Sequence, residues 1–370
     1  MWRKGGLCQV RQRNHADRRT SSLPLGEEQG EGEVLFVSPF IPALSTEGAR
    51  EESDLIASGD EKEGAMSRVA LAKTADRRQG VRASVAALRI ESPRGKDVLI
   101  KPNFNTADAC PGSTHNDTLV ALVDELWAMG ARSISLGERS YPPTMEVMRD
   151  KGVIPLLEER DVRIIDFDSL PKSDWVEVRP DGSHWQNGFR VARPILEADF
   201  LVSTCCLKTH QYGGVFTMSL KLHVGVVPTS RHGFSTMSEL HGSPHQRKMI
   251  AEINTPFQPK LVVLDGVEAF VDGGPMTGKR ARGDVFLASS DRVAIDATGL
   301  AILKMLGSNA AIMNRRIFDQ EQIARAVELG LGASSPSEID LVAADEGSRE
   351  TSDRVRRILR REILLDRTGV

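Results

Sequence analysis

From residue 68 onward the chain alternates short β-branched runs with longer stretches whose apolar residues recur at helical spacing, and this alternation restricts the fold more than any other feature. Strands covered on both faces read as near-continuous apolar runs, and the helices that cover them carry an apolar stripe. The pattern therefore predicts an α/β protein with a mostly parallel sheet flanked by helices. Candidate strands are Val69–Ala72, Asp97–Ile100, Ser133–Gly137, Arg163–Asp166, Phe200–Thr204, Leu261–Asp265, Asp284–Ala288 and Asp340–Ala343. Asp117-Thr118 opens the amphipathic run LVALVDELWAMG, with Gly130 where a helix C-cap would stand, and further helices are expected at Met145–Lys151, Arg292–Leu306 and Gln320–Leu329.

Residues 1–65 differ from this pattern. They are rich in Gly, Glu, Arg and Ser and hold one isolated apolar stretch, VLFVSPFIPAL. They read as a disordered extension, or as the product of a misplaced start if translation begins at Met66, just ahead of the first strand pattern. Residues 66–345 form the α/β domain, with room for two lobes. Residues 346–370 form a C-terminal helical segment in which SRETSDRVRRILRREILLDR combines alternating charges with helix-like apolar spacing.

A net charge of −3, with Lys and Arg scattered along the chain, provides no basic stripe for nucleic acid and favours a small-molecule ligand. Four cysteines without a C-x-x-C pair support neither a disulfide framework nor a zinc motif. With Cys110 as the only thiol in the folded region besides Cys205 and Cys206, a four-cysteine iron–sulfur cluster within the chain is excluded. No apolar run reaches the roughly 18 residues of a membrane span, and the first twenty residues lack the apolar segment of a signal peptide. A cytoplasmic protein without a membrane partner is expected.

Three candidate strands, VLIKPNFN, FLVSTCCLKTH and LVVLDGVEAFVDGGP, run straight into polar or glycine-rich loops. Ligands of open parallel sheets bind beyond the carboxyl ends of the strands, so these loops are expected to converge on one crevice. Lys101 and Asn103 in the first loop and Gly273 and Gly274 in the third are candidates for holding substrate. Five of the eight histidines, His210, His223, His232, His241 and His245, crowd between residues 210 and 245 together with Lys208, Lys221 and Arg231. Imidazoles carry protons or bind metals near neutral pH, and Lys and Arg hold carboxylates or phosphates, so the window reads as a site for an anionic substrate. Any one of these histidines is more simply a surface-loop residue, but the crowding favours the site.

His210, His223 and His241 are the candidate metal ligands, although Gly242 and Pro244 argue against a regular helix presenting His241 with His245. Gly273 to Lys279 nearly spells a phosphate-binding loop. Arg280 occupies the Ser or Thr position, however, and ARGDVFLAS continues as a strand rather than a helix, so a tight turn is expected. Among the acids, Asp265 and Asp296 are candidates for catalysis, while Asp291 is better explained as the N-cap of RVAIDATGLAILKML.

Several of these stretches, in this order, resemble the domain of unknown function 362 family: VLIKPNFN, GARSISLGE, FLVSTCCLKTH, the T-x-SLK segment, VVP-x-x-R with a following histidine, LVVLDGVEAFVDGGPMTG and SSDRVAIDATG. The resemblance implies that Lys208 and His210 form the family's lysine-x-histidine motif and that Lys221 belongs to its leucine-lysine motif. It assigns Asp265, Gly273 and Gly274 to the aspartate-glycine and glycine-glycine-proline motifs, and Asp291 and Asp296 to a later acidic motif. Where the family usually has Asn after that lysine, this chain has Leu222 and His223. Many members carry an appended ferredoxin-like module, which is missing here, so redox chemistry would need a separate electron-transfer protein. The layout is also similar to that of lactate racemase, with its histidines and lysines around a metal-bearing cofactor. The expected function is an oxidoreductase or isomerase acting on a small anionic metabolite, with a metal ion or a partner iron–sulfur protein as candidate accessories. The competing expectation is a non-catalytic carrier of metal or cofactor.

Overall fold

The computed structural model describes residues 34–37, 66–231 and 234–368. Apart from Val34–Val37, the expected disordered extension lies outside the described residues.

Nine strands form the main sheet: β1 (Ser67–Lys73), β2 (Asp97–Lys101), β3 (Ser133–Glu138), β4 (Val162–Asp166), β5 (Phe200–His210), β6 (Val215–Thr217), β7 (Leu261–Gly273), β8 (Gly278–Ser289) and β9 (Ile339–Ala343). Their order is β9-β1-β8-β7-β5-β2-β3-β4, with β6 paired to β5. All neighbours are parallel except those of β8, which is antiparallel to both β7 and β1, and β6, which runs back along β5. Val34–Val37 pairs in parallel with Trp175–Pro180, which pairs with Phe189–Ala192 in a small separate sheet.

The apolar runs are continuous because the central strands are covered on both faces. In β1, Val69 and Leu71 join one core cluster while Ala70 and Ala72 join another; in β8, Val285 and Leu287 face the first cluster and Phe286 and Ala288 the second. This is strand alternation with both faces buried. The first cluster is closed by the helix Arg292–Leu306 and by Val355 and Leu359 of the C-terminal helix Arg349–Thr368. The second is closed by α1 (Arg77–Leu88) and α2 (Asn116–Ala128). Asp291 caps Arg292–Leu306 as expected, its carboxylate accepting from the amides of Val293 and Ala294 at 2.7 and 2.9 Å.

The near phosphate-loop motif is the turn between β7 and β8, whose strands pair from Val262–Ser289 out to Gly273–Gly278. Among the described residues no helix is long and apolar enough to cross a membrane.

Candidate functional site

The carboxyl ends of β2, β3 and β5 and the turn between β7 and β8 border one cavity of about 810 Å³. Sequence reasoning anticipated the ends of β2 and β5 and the turn after β7. It did not single out β3, which delivers Glu138 and Arg139.

At the ends of β2 and β3, Lys101 and Glu138 form an ion pair of 2.5 Å with each side chain only 1% exposed. Glu138 also accepts from the amides of Phe104 and Arg139, both at 2.9 Å, and Lys101 donates to the carbonyl of Pro102 at 2.7 Å. Burial drives both groups toward their neutral forms, and each partner's charge opposes that drive. Lys101 therefore lines the cavity with its charge already committed. Asn103 also lines it, its backbone N–H donating to the Thr114 hydroxyl at 2.9 Å.

The neighbouring Arg139 is buried, and its guanidinium donates to the Val224 carbonyl at 3.0 Å and the Thr229 hydroxyl at 3.4 Å. These acceptors are neutral, and burial pulls its pKa down while the charges of Glu138 and Asp168 oppose that drop.

At the end of β5, Lys208 is buried and donates to the carbonyls of Gly112 at 2.5 Å and Pro275 at 3.4 Å, tying the loop after β2 to the β7–β8 turn. His210, two residues on, is also buried, and its Nδ1 has no hydrogen-bond partner among the described residues. Burial, followed by the charges of Lys221, Lys208 and His241, holds its pKa far below the ordinary value, so the ring is a neutral imidazole.

Lys221 comes from the one-turn helix Ser219–Leu222. It is buried, lines the cavity and makes no hydrogen bond or ion pair among the described residues, and burial together with Lys208 lowers its pKa to about 8. Gly214 leaves the space between these two groups open: a Cβ there would stand 2.8 Å from Cε of Lys221 and 2.9 Å from Nδ1 of His210. His241 borders the cavity beside them, its Nδ1 engaged with the Gln246 amide at 2.8 Å.

The remaining expected site residues lie elsewhere. His223 is fully buried with both ring nitrogens occupied, Nε2 by the Ser203 hydroxyl at 2.9 Å and Nδ1 by the Asn254 side-chain oxygen at 2.7 Å. That removes it from the expected metal-ligand set. Among the described residues no group of three or more His, Cys, Asp or Glu side chains is gathered to hold a metal ion.

Asp265 does not line the cavity. Its buried carboxylate is taken by Arg77 at 3.0 Å, the Thr118 hydroxyl at 2.6 Å and the Val267 amide at 3.0 Å. Asp296 is also remote from the cavity surface, but it accepts from the amides of Ser219 and Leu220 at 2.7 and 3.0 Å and so caps the turn that carries Lys221.

Gly273 and Gly274 are turn residues with φ of +78° and +72°, and a Cβ on Gly274 would stand 2.0 Å from the Thr209 carbonyl oxygen. They let the turn press against β5, while the next residues, Pro275 and Met276, line the cavity. The Arg231 side chain and His232 lie outside the described residues, and His245 is exposed, its ring 4.6 Å from that of His184.

The site thus gathers Lys101, Arg139, Lys208 and Lys221 around a single carboxylate, Glu138, which is already paired. Such a cavity is built to receive negative charge.

In a comparison with curated proteins, a thylakoid-associated protein of Synechocystis sp. is 25% identical over 214 residues, covering 57% of this chain and 64% of that protein. The chain therefore spans less than two thirds of that relative's length. Among solved structures, the lactate racemase apoprotein from Thermoanaerobacterium thermosaccharolyticum aligns with a TM-score of 0.37 and 15% identity, covering 64% of this chain and 57% of that one, a likeness too slight to bear on fold or reaction. The profile of the domain of unknown function 362 (DUF362) matches residues 98–301, more than half of the chain and nearly every cavity-lining strand end. The chain belongs to the DUF362 family.

Proposed function

We propose that the protein is an enzyme that binds a small organic anion in this cavity and moves a proton on it. The observation that carries the reading is Lys221: a buried amine, open to the cavity and without a partner among the described residues, beside a neutral imidazole whose Nδ1 is likewise unpartnered among them. An ammonium left unpaired in a low-dielectric site is costly unless something else completes it, and a bound anion would. Arg139 and Lys208 add to the same field.

His210 supplies the proton-transfer group. In the free protein burial, followed by the charges of Lys221, Lys208 and His241, depresses its basicity. An anion seated on Lys221 would offset the part of that depression due to the lysine charges and so make the imidazole a better base. The site would then gain basicity when substrate is bound. Gly214 keeps the space between the two groups free for the reacting part of the substrate.

The test is deuterium uptake from D2O at C2 of small 2-hydroxy acids and at C3 of small 2-oxo acids, followed by NMR. Exchange that disappears in His210→Gln while the acid still binds supports the reading. Exchange that survives in His210→Gln, or bound acids that show none, would overturn it.

A further inference from the structure

The chain contains only two tyrosines, Tyr141 and Tyr212, and both line this cavity. Five large apolar or aromatic side chains are exposed among the described residues; three of them, Tyr141 at 75%, Tyr212 at 56% and Met276 at 37%, belong to this cavity. They come from three separate segments: the end of β3, the end of β5 and the β7–β8 turn. Exposed aromatic side chains gathered at the mouth of a concave site mark a surface that a ligand covers.

The deeper wall differs in character. Lys208, Lys221 and Arg139 are buried, and Leu222, Val224, Met237 and Pro275 add apolar lining to the same cavity. The Tyr212 ring meets His210 edge to face, with centroids 5.9 Å apart, which places an aromatic surface next to the imidazole. A ligand consisting of charge alone would leave the two tyrosines and Met276 uncovered. A cavity of about 810 Å³ also exceeds what a two- or three-carbon acid fills.

We infer that the substrate is an amphipathic anion: a carboxylate or comparable anionic group seated on Lys221, joined to a flat conjugated ring system that lies against Tyr141, Tyr212 and Met276. This inference rests on the anion-binding reading and narrows its substrate class. Conjugated rings in offset-stacked or edge-to-face contact attract one another, and methionine sulfur, beyond the area they bury, so the mouth would prefer a flat aromatic body to a saturated one of the same size.

Calorimetric titration of the full chain with 2-naphthoate and with decahydro-2-naphthoate separates these effects. The two acids share charge and carbon skeleton, and the saturated one is the more hydrophobic, so apolar burial alone would favour it. The expected result is tighter binding of 2-naphthoate, with the preference falling by about tenfold in Tyr141→Leu, Tyr212→Leu, which keeps apolar area but removes both rings. Lys221→Met should weaken both acids alike. Equal affinities, or a preference for the saturated acid, overturn the inference; if Lys221→Met still weakens both, the anion reading stands without it. Binding of both acids that is indifferent to Lys221→Met overturns the two together. Circular dichroism of each variant distinguishes lost contacts from lost folding.

Discussion

Lys221 and His210 illustrate how context changes a residue's chemistry. A lysine in water is charged up to about pH 10.4, yet burial beside Lys208 brings this one down to about 8. Its charge, and with it any anion it holds, should be lost as the pH rises past that value. The Lys101–Glu138 pair is the opposite case, a lysine whose charge is fully used. Lys101→Met would strand the Glu138 carboxylate in the interior at a cost of about 3–5 kcal/mol, whereas Lys101→Met, Glu138→Gln should recover much of the loss. Urea unfolding of the two variants checks this, and similar stabilities for both would show that the pair is not coupled. At this scale the sequence was informative about residue type and less so about partners. The His-Lys window indicated Lys208, His210 and Lys221, which line the cavity. It also indicated His223, whose two nitrogens are taken by Ser203 and Asn254, residues 20 and 31 positions away. Contacts of that range leave no mark in local spacing.

Among the elements, the one-turn helix Ser219–Leu222 is too short to be stable by itself and depends on its cap. Asp296→Ala would leave two buried amides unpaired, costing about 1–3 kcal/mol and displacing Lys221, so anion affinity should drop although the lysine remains. A variant that folds less stably but binds an anion unchanged would separate the cap from the site. Burial pushes the Asp296 carboxyl up to about 7, against the two amide hydrogen bonds that favour its charged form. A folded-state pKa above the unfolded value gives a contribution that is complete below about pH 3.8 and lost as the pH rises through about 7. The stability of the wild type relative to Asp296→Asn should therefore decline between about pH 4 and 7 and level off above that. The β7–β8 turn is a second dependent element. Gly274→Ala adds a Cβ 2.0 Å from the Thr209 carbonyl at a φ that L-residues avoid, and should lower the melting temperature and disturb Pro275 and Met276 at the cavity. The turn was legible from its glycines and the strand that follows. The end of β3 was not, because SLGERS lacks the glycine-rich or basic signature that drew attention to the other loops.

For the whole molecule, the alternation of apolar runs was enough to locate the eight longer strands of the main sheet and several of the helices that cover it, though not α1 (Arg77–Leu88). That reading worked because central strands buried on both faces are mostly apolar along their length. It did not reveal strand order, the reversed direction of β8, or the small sheet containing Trp175–Pro180, since these depend on pairings between distant segments. The site follows from that order: placing β5 beside β2 and β7, and β3 beside β2, brings the strand ends together around one cavity. The central claim is that this cavity holds an anion through the charge on Lys221. The most direct measurement is the dissociation constant of 2-naphthoate from pH 6 to 10, for the wild type and Lys221→Met. The account predicts a constant value up to about pH 8 and then a weakening of about tenfold per pH unit in the wild type, with weak, pH-independent binding in the variant. Affinity that is the same in both proteins and flat across this range would contradict it.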